Sequence, residues 1–283
     1  IDVISTRRMP WKKFILIDGD AQAPMFQHAP PTPGGAPVPL DTPHREALYA
    51  LTWPARPQRV LVIGVGGGAD VLTAKRHGAK TVDAVEINPT TARIVRDDYA
   101  EFTGHLLSSE GVTLHYDDGR SFAARTRNRY DAVMLFAVDS LAASSTGAYV
   151  LMENYLYTFE AFQRYWQLLS DHGVLQISRW HHPKAPSETL RVFTQSFEAL
   201  GAGGIKDPGR HIAVVGDPLN GGAPFADILV SKQPLTESQA DAIRRFAEIN
   251  RFELVYLHPS LGDEPAAGRS NAFHRFAAAY TAG

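Results

Sequence analysis

The sequence predicts a doubly wound α/β domain, preceded by a small β-hairpin module and finished by an antiparallel hairpin. Three observations carry that prediction. From residue 59 onward, runs rich in valine, isoleucine and leucine alternate with helix-length segments, the pattern of a parallel sheet covered by helices on both faces. The first of those runs, RVLVIGV, breaks abruptly into the glycines of VLVIGVGGGADVL (residues 60–72). Ahead of residue 29 the chain reads as short strands around a turn-like RRMPW.

The elements follow in order. DVIST (2–6) and KFILID (13–18) read as the two strands of the hairpin module, residues 1–28, with IDGDAQ ending the second strand. APPTPGGAPVPLDTP (29–43) holds six prolines and two glycines, so it continues neither helix nor sheet and reads as a semi-rigid connector or lid. Residues 44–283 then form the main domain. A helix is expected at 44–51, after which the strands RVLVIGV, TVDAVEI, VTLHYDD, YDAVMLF and GVLQISR alternate with helices at 69–77, 89–100, 119–127, 155–170 and 187–200. HIAVVGD (211–217) and ADILVSK (226–232) flank a glycine-rich loop and read as an antiparallel hairpin closing the sheet edge.

Composition narrows the function. Of 283 residues, 44% are hydrophobic and 20% charged, with a formal net charge of -2; no polycation is present for broad binding of nucleic acid or acidic membrane. There are 0 cysteines, which removes disulfides, thiolate metal sites and cysteine nucleophiles together. No apolar run reaches the roughly 18 residues of a membrane span and no signal peptide opens the chain, so a cytoplasmic setting is expected. The first residue is Ile1 rather than methionine, which leaves open a longer protein with an attached membrane domain.

The ligand crevice is expected at the carboxyl ends of the first strands. Gly64, Gly66, Gly67 and Gly68 permit a close backbone approach, and the helix that follows, with Asp70 in its first turn, aims N–H groups and a positive dipole end at the same place. Tight strand–helix packing explains the same glycines. TVDAVEINP puts Glu86 and Ile87 at the next strand's end, about 20 residues on, where an acidic side chain accepts from both ribose hydroxyls of an adenine nucleoside. A merely solvated strand end is the alternative. The third strand ends in Asp117, Asp118 and Gly119; a carboxylate there suits the adenine amino group, and aspartates are equally common turn formers.

Together these stretches resemble the class I S-adenosylmethionine-binding transferases, and more narrowly the spermidine synthase family. IDGDAQ (17–22) is similar to the family's LDGxxQ, PHREALYAL (43–51) to its Y-[HQ]-E-M-L helix, VLVIGVGGG to VLIIGGGDGG and AVEIN to MVEID. DDGRSF resembles the adenine loop, and YTFEAFQRYWQLLSDHGVL resembles FTEEFYxxxxxxLKPGGIL. The glycine loop and the stretch GAYVLMENYLYT match a bacterial spermidine synthase-like branch that is often membrane-attached. The resemblance implies a Rossmann-like sheet of the class I methyltransferase type and a cosubstrate that is S-adenosylmethionine or its decarboxylated form. It implies that the glycines hold the cosubstrate's amino acid end and that Gln22 touches its methionine-derived part. It also implies a homodimer and a small-molecule acceptor, an amine.

Departures from the family pattern bear on which group moves. Where polyamine synthases carry D-[SA]-[ST]-D-P, this chain reads LFAVDSLAA, with Phe136 at the first aspartate, Asp139 at the second and Ser140 at the proline. A phenyl ring accepts no proton, so the base is expected to be Asp139 or His44. Phe136 then borders the cosubstrate. His44 and Arg45 replace the family's Tyr and Gln/His; Arg45 either binds the carboxylate of intact S-adenosylmethionine or lies on an exposed helix face. Asp139, Tyr149, Glu153, Tyr157 and Trp180 are the expected acceptor-side residues, with Phe136 and Tyr155 as further aromatic wall, although aromatics at helical spacing are commonly core. Glu153 and Asn154 either line that pocket or cap the next helix. His181 and His182 lack a third ligand in the sequence, so no metal is expected.

These departures favour methyl transfer to an amine or other small nucleophile. Aminopropyl transfer from decarboxylated S-adenosylmethionine is the alternative. A non-catalytic nucleoside-binding domain is a further one. A nicotinamide dehydrogenase fits less well, because the glycines read GxGGG and the chain ends in an antiparallel hairpin.

Overall fold

The computed structural model describes residues 1–17, 21–28, 43–52, 54–138, 154–217, 225–263 and 271–282. The chain forms two compact units: Ile1–Thr42 with Pro57–Thr126 and Val138–Leu156, and Pro43–Arg56 with Arg127–Ala137 and Tyr157–Gly283.

The first unit opens with an antiparallel sheet in the order β1 (Asp2–Thr6), β2 (Met9–Ile17), β3 (Ala21–Phe26). The third strand differs from the expected two-stranded hairpin. Pro24 reads as a strand breaker, but β3 is an edge strand and tolerates a missing N–H. Ile15, Met25 and Phe26 supply the buried apolar side chains of this sheet. β4 (Arg59–Ile63), β5 (Thr81–Glu86) and β6 (Val112–Tyr116) pair in parallel, with Ile63 opposite Val85 and Glu86 opposite Tyr116. Val60, Leu61 and Val62 are completely buried, as the unbroken apolar run requires. α2 (Ala69–Arg76) follows β4; α1, Ala47–Thr52, belongs to the second unit.

The expected helix over 89–100 is interrupted. α3 (Pro89–Arg93) starts on Asn88, whose side chain accepts from the Thr90 and Thr91 N–H groups with Pro89 at the first position. A π-helical stretch, Ile94–Asp98, then closes on a bond from the Tyr99 N–H to the Ile94 carbonyl, before α4 (Ala100–Thr103). α5 (Gly119–Arg125) follows β6.

In the second unit the strand order is β11 (Glu253–Tyr256), β9 (Ile212–Gly216), β10 (Phe225–Ser231), β8 (Leu169–Trp180), β7 (Tyr130–Phe136). β7 and β8 are parallel; the other pairs are antiparallel. The expected terminal hairpin exists as β9 and β10, but it does not close the edge. β10 lies against β8, and the four-residue β11 pairs β9 at the rim. Its ELVY is too short to register as a strand by alternation. α6 (Phe159–Leu168), α7 (Ser187–Ala202), α8 (Glu237–Asn250) and α9 (Ala272–Ala282) complete the unit; α8 and α9 have no counterpart in the sequence reading. Thr236 starts α8 with a reciprocal capping box to Gln239. Among the described residues no helix is long and apolar enough to cross a membrane.

Candidate functional site

In the first unit, β4 delivers the glycine loop beside the N-terminal sheet. Gly64, Gly66 and Gly68 have positive φ, which glycine adopts without strain. Gly67 does not, and its requirement is spatial: a Cβ there would lie 2.2 Å from the Pro24 carbonyl oxygen. One at Gly66 would lie 3.0 Å from the Ala23 Cβ. The bare backbone at these two glycines therefore admits the chain's own β3, so part of the loop is strand packing. Gln22 is an exposed residue of that strand, and Asp70 is buried in the first turn of α2.

Glu86 ties the loop to the end of β5. One carboxylate oxygen accepts from the Gly66 N–H at 3.0 Å, the other from the Asn88 N–H at 2.8 Å. The residue is 6% exposed. Burial pushes its pKa above the usual carboxylate range, and backbone donors led by Gly66 and Asn88 oppose that rise. Next to it Ile87 is an apolar side chain left 61% exposed. The Val65 and Ile87 N–H groups add to this ring of backbone donors around the carboxylate. Binding that uses the ionised form is expected to weaken as pH falls through the raised pKa, and calorimetry across pH 4 to 7 checks it. For stability alone the sign is opposite. A carboxyl with raised folded pKa favours the fold most below its unfolded pKa, and that contribution fades as pH rises through the folded one.

At the end of β6 the two aspartates have local partners. Asp118 starts α5, accepting from the Ser121 N–H at 2.8 Å, and Asp117 pairs with Arg125. A Cβ on Gly119 would lie 2.3 Å from Ile63 Cγ2, so its bareness brings α5 against β4. The turn-forming role is thus present whatever else these residues do.

The second unit gathers the aromatic residues. Arg45 is 5% exposed, with its guanidinium carbon 3.7 Å from the centre of the Phe136 ring. The exposed-helix alternative therefore fails, and one face of Phe136 is already covered by a cation. Phe136 and Trp180 both pack on Phe225, at 5.1 and 4.3 Å between ring centres. Tyr157 is buried with Arg179 over its ring. His181 is buried, its ring nitrogen 3.2 Å from the Thr189 hydroxyl, and burial lowers its pKa; His182 is exposed. Among the described residues no cluster of three metal-ligating side chains occurs. Asp139, Tyr149 and Glu153 lie outside the described residues.

His44 has partners that sequence reasoning missed. Its Nδ1 lies 2.8 Å from Asp227 on β10. Asp227 is completely buried and also accepts from the Ser178 hydroxyl at 2.5 Å and the Gln176 amide at 3.2 Å. The trace in the sequence is Asp227 near the start of ADILVSK, beside the apolar Ile228, Leu229 and Val230, where an ionisable group needs a partner.

A family model described as the spermine/spermidine synthase domain matches residues 47–201. The chain belongs to the spermine/spermidine synthase family. Polyamine aminopropyltransferase 2 of Hyperthermus butylicus is 31% identical over 100 residues, 35% of this chain and 33% of the relative. A polyamine aminopropyltransferase of Vibrio vulnificus is 30% identical over 135 residues, 46% and 40% of the two chains. The chain thus spans about two-fifths or less of the length of these curated relatives. The crystal structure of a probable spermidine synthase from Corynebacterium glutamicum superposes with a TM-score of 0.61 at 16% identity, covering 87% of this chain and 82% of that one. Spermidine synthase from Thermotoga maritima gives 0.54 at 13% identity, covering 96% and 84%. These likenesses establish the fold as the Rossmann-like α/β class expected from the sequence.

Proposed function

We propose that this member of the spermine/spermidine synthase family is an aminopropyltransferase that alkylates a small amine using decarboxylated S-adenosylmethionine. The sequence alone favoured methyl transfer because Phe136 stands where a base is expected. Family membership and curated relatives that are polyamine aminopropyltransferases reverse that order.

The observation that carries the reading is the buried Glu86 carboxylate on Gly66 and Asn88, with exposed Ile87 beside it. This acceptor set and apolar face fit a ribose and an adenine ring. When bound, the cosubstrate supplies a sulfonium whose neighbouring aminopropyl carbon is open to in-line attack. The chain's own residues do the rest: Glu86 accepts the ribose hydroxyls, Ile87 supports the base, and Asp139 or His44 takes the proton that an ammonium must lose before its nitrogen attacks. Methyl transfer from intact S-adenosylmethionine is the second reading, favoured by Phe136.

The test is incubation with each cosubstrate and a panel of linear diamines of three to six carbons, followed by mass spectrometry. The proposal expects a gain of one aminopropyl group with the decarboxylated cosubstrate. A gain of one methyl with the intact one supports the second reading, and no gain with either supports a binding domain.

A further inference from the structure

We infer that Asp227, braced by Gln176 and Ser178, is a positioning residue that fixes His44 as the proton acceptor for the incoming amine, and that Asp217 holds the same amine from the other side. This rests on the reading above that the acceptor is an amine.

The argument starts from the tautomer. A carboxylate only accepts, so the 2.8 Å contact with Asp227 places the imidazole proton on Nδ1 and leaves the Nε2 lone pair able to accept. The ring cannot turn away from that arrangement. It stacks on Phe252 at 4.5 Å and meets Phe225 edge-on at 5.9 Å, while the Gln176 amide donates to the His44 carbonyl at 2.7 Å. His44 is 8% exposed, and its Nε2 is buried with no hydrogen-bond partner among the described residues. Leaving such an atom bare is costly in a purely structural role.

Across from Nε2, at 4.0 Å, lies the Asp217 Oδ2 at the end of β9. A donor with at least two hydrogens can serve both of these acceptors at once. A nitrogen lying off the line between them makes a contact of ~2.9 Å to both, which suits a primary ammonium. The charged groups around His44 are Asp227 and Asp217 together with its neighbour Arg45, whose guanidinium is committed to the Phe136 ring. In the proton transfer an N–H bond of the ammonium breaks, its electron pair stays on nitrogen, and the proton joins Nε2. The resulting imidazolium is paired with Asp227 through Nδ1–H. The base missing at Phe136 is thereby supplied by His44, from the 3₁₀ turn Pro43–Glu46.

The test uses the whole protein, ¹⁵N-labelled on histidine, titrated with 1,4-diaminobutane in the absence of cosubstrate. The His44 Nε2 resonance is expected to move, and Asp217→Asn is expected to weaken diamine affinity at least tenfold. Asp227→Asn, which keeps the shape but loses the anionic acceptor, is expected to lower kcat by ~10²–10⁴-fold with KM for the diamine changed far less. An unmoved His44 signal in wild-type protein that turns over the diamine overturns the inference and leaves the aminopropyl reading standing. So does an Asp227→Asn variant with wild-type kcat. A shifted His44 signal without turnover keeps the amine site and sinks the aminopropyl reading.

Discussion

Glu86→Ala is expected to lower affinity for 5′-methylthioadenosine by ~10²–10⁴-fold. The estimate follows from two lost hydrogen bonds between ribose hydroxyls and an ionised acceptor, each worth about 1.5–3 kcal/mol. The loop suffers as well. Without the carboxylate, the Gly66 and Asn88 N–H groups lose the acceptors they have at 3.0 and 2.8 Å. Glu86→Gln separates the two effects, because its amide oxygen still accepts from one N–H while the charge is gone. It is expected to bind better than the alanine variant, and its affinity should lose the acid-side pH dependence. Calorimetric titration reads all of this, and wild-type affinity in the alanine variant would remove Glu86 from the site.

Gly67→Ala is expected to destabilise the first unit clearly, by a backbone clash alone. At a glycine without positive φ, alanine ordinarily stabilises by about 0.4–1 kcal/mol through the unfolded chain. Here the added carbon would meet the Pro24 carbonyl oxygen at 2.2 Å, the Pro24 carbonyl carbon at 2.4 Å and the Met25 nitrogen at 2.8 Å. All three are backbone atoms, so relief requires β3 or the glycine loop to move rather than a side chain to turn. Overpacking of this kind costs about 1–3 kcal/mol or more, and the sign alone decides between the effects. Thermal unfolding is expected to show a melting temperature several degrees below wild type. An unchanged or higher value would mean that β3 does not rest on the loop.

Much of this was legible in the chain itself. The β/α alternation located β4 to β8 because fully buried parallel strands must be unbroken apolar runs. Glu86 stood out for a local reason, an acidic residue closing an apolar run, and the structure gives it the Gly66 and Asn88 N–H groups as partners. What the pattern hid is non-local. His44 and Asp227 are 183 positions apart, and no periodicity encodes their meeting; only the misplaced charge in ADILVSK hinted at it. Arg45 read as ambiguous because its partner, Phe136, comes from another element. β3 was obscured by Pro24 and β11 by its four-residue length. The sequence puts methyl transfer first because Phe136 and His44 depart from the family motifs, whereas the family match and the curated aminopropyltransferase relatives support its alternative better. The base proposed above, His44, lies in the 3₁₀ turn Pro43–Glu46, far in sequence from the motif that holds Phe136.

The most direct test of the account is a crystal structure of the protein with 5′-methylthioadenosine, the nucleoside that aminopropyl transfer leaves behind. The prediction is a ribose whose two hydroxyls rest on the Glu86 carboxylate and an adenine ring lying against Ile87. A nucleoside bound elsewhere, with Glu86 touching only Gly66 and Asn88, would contradict it.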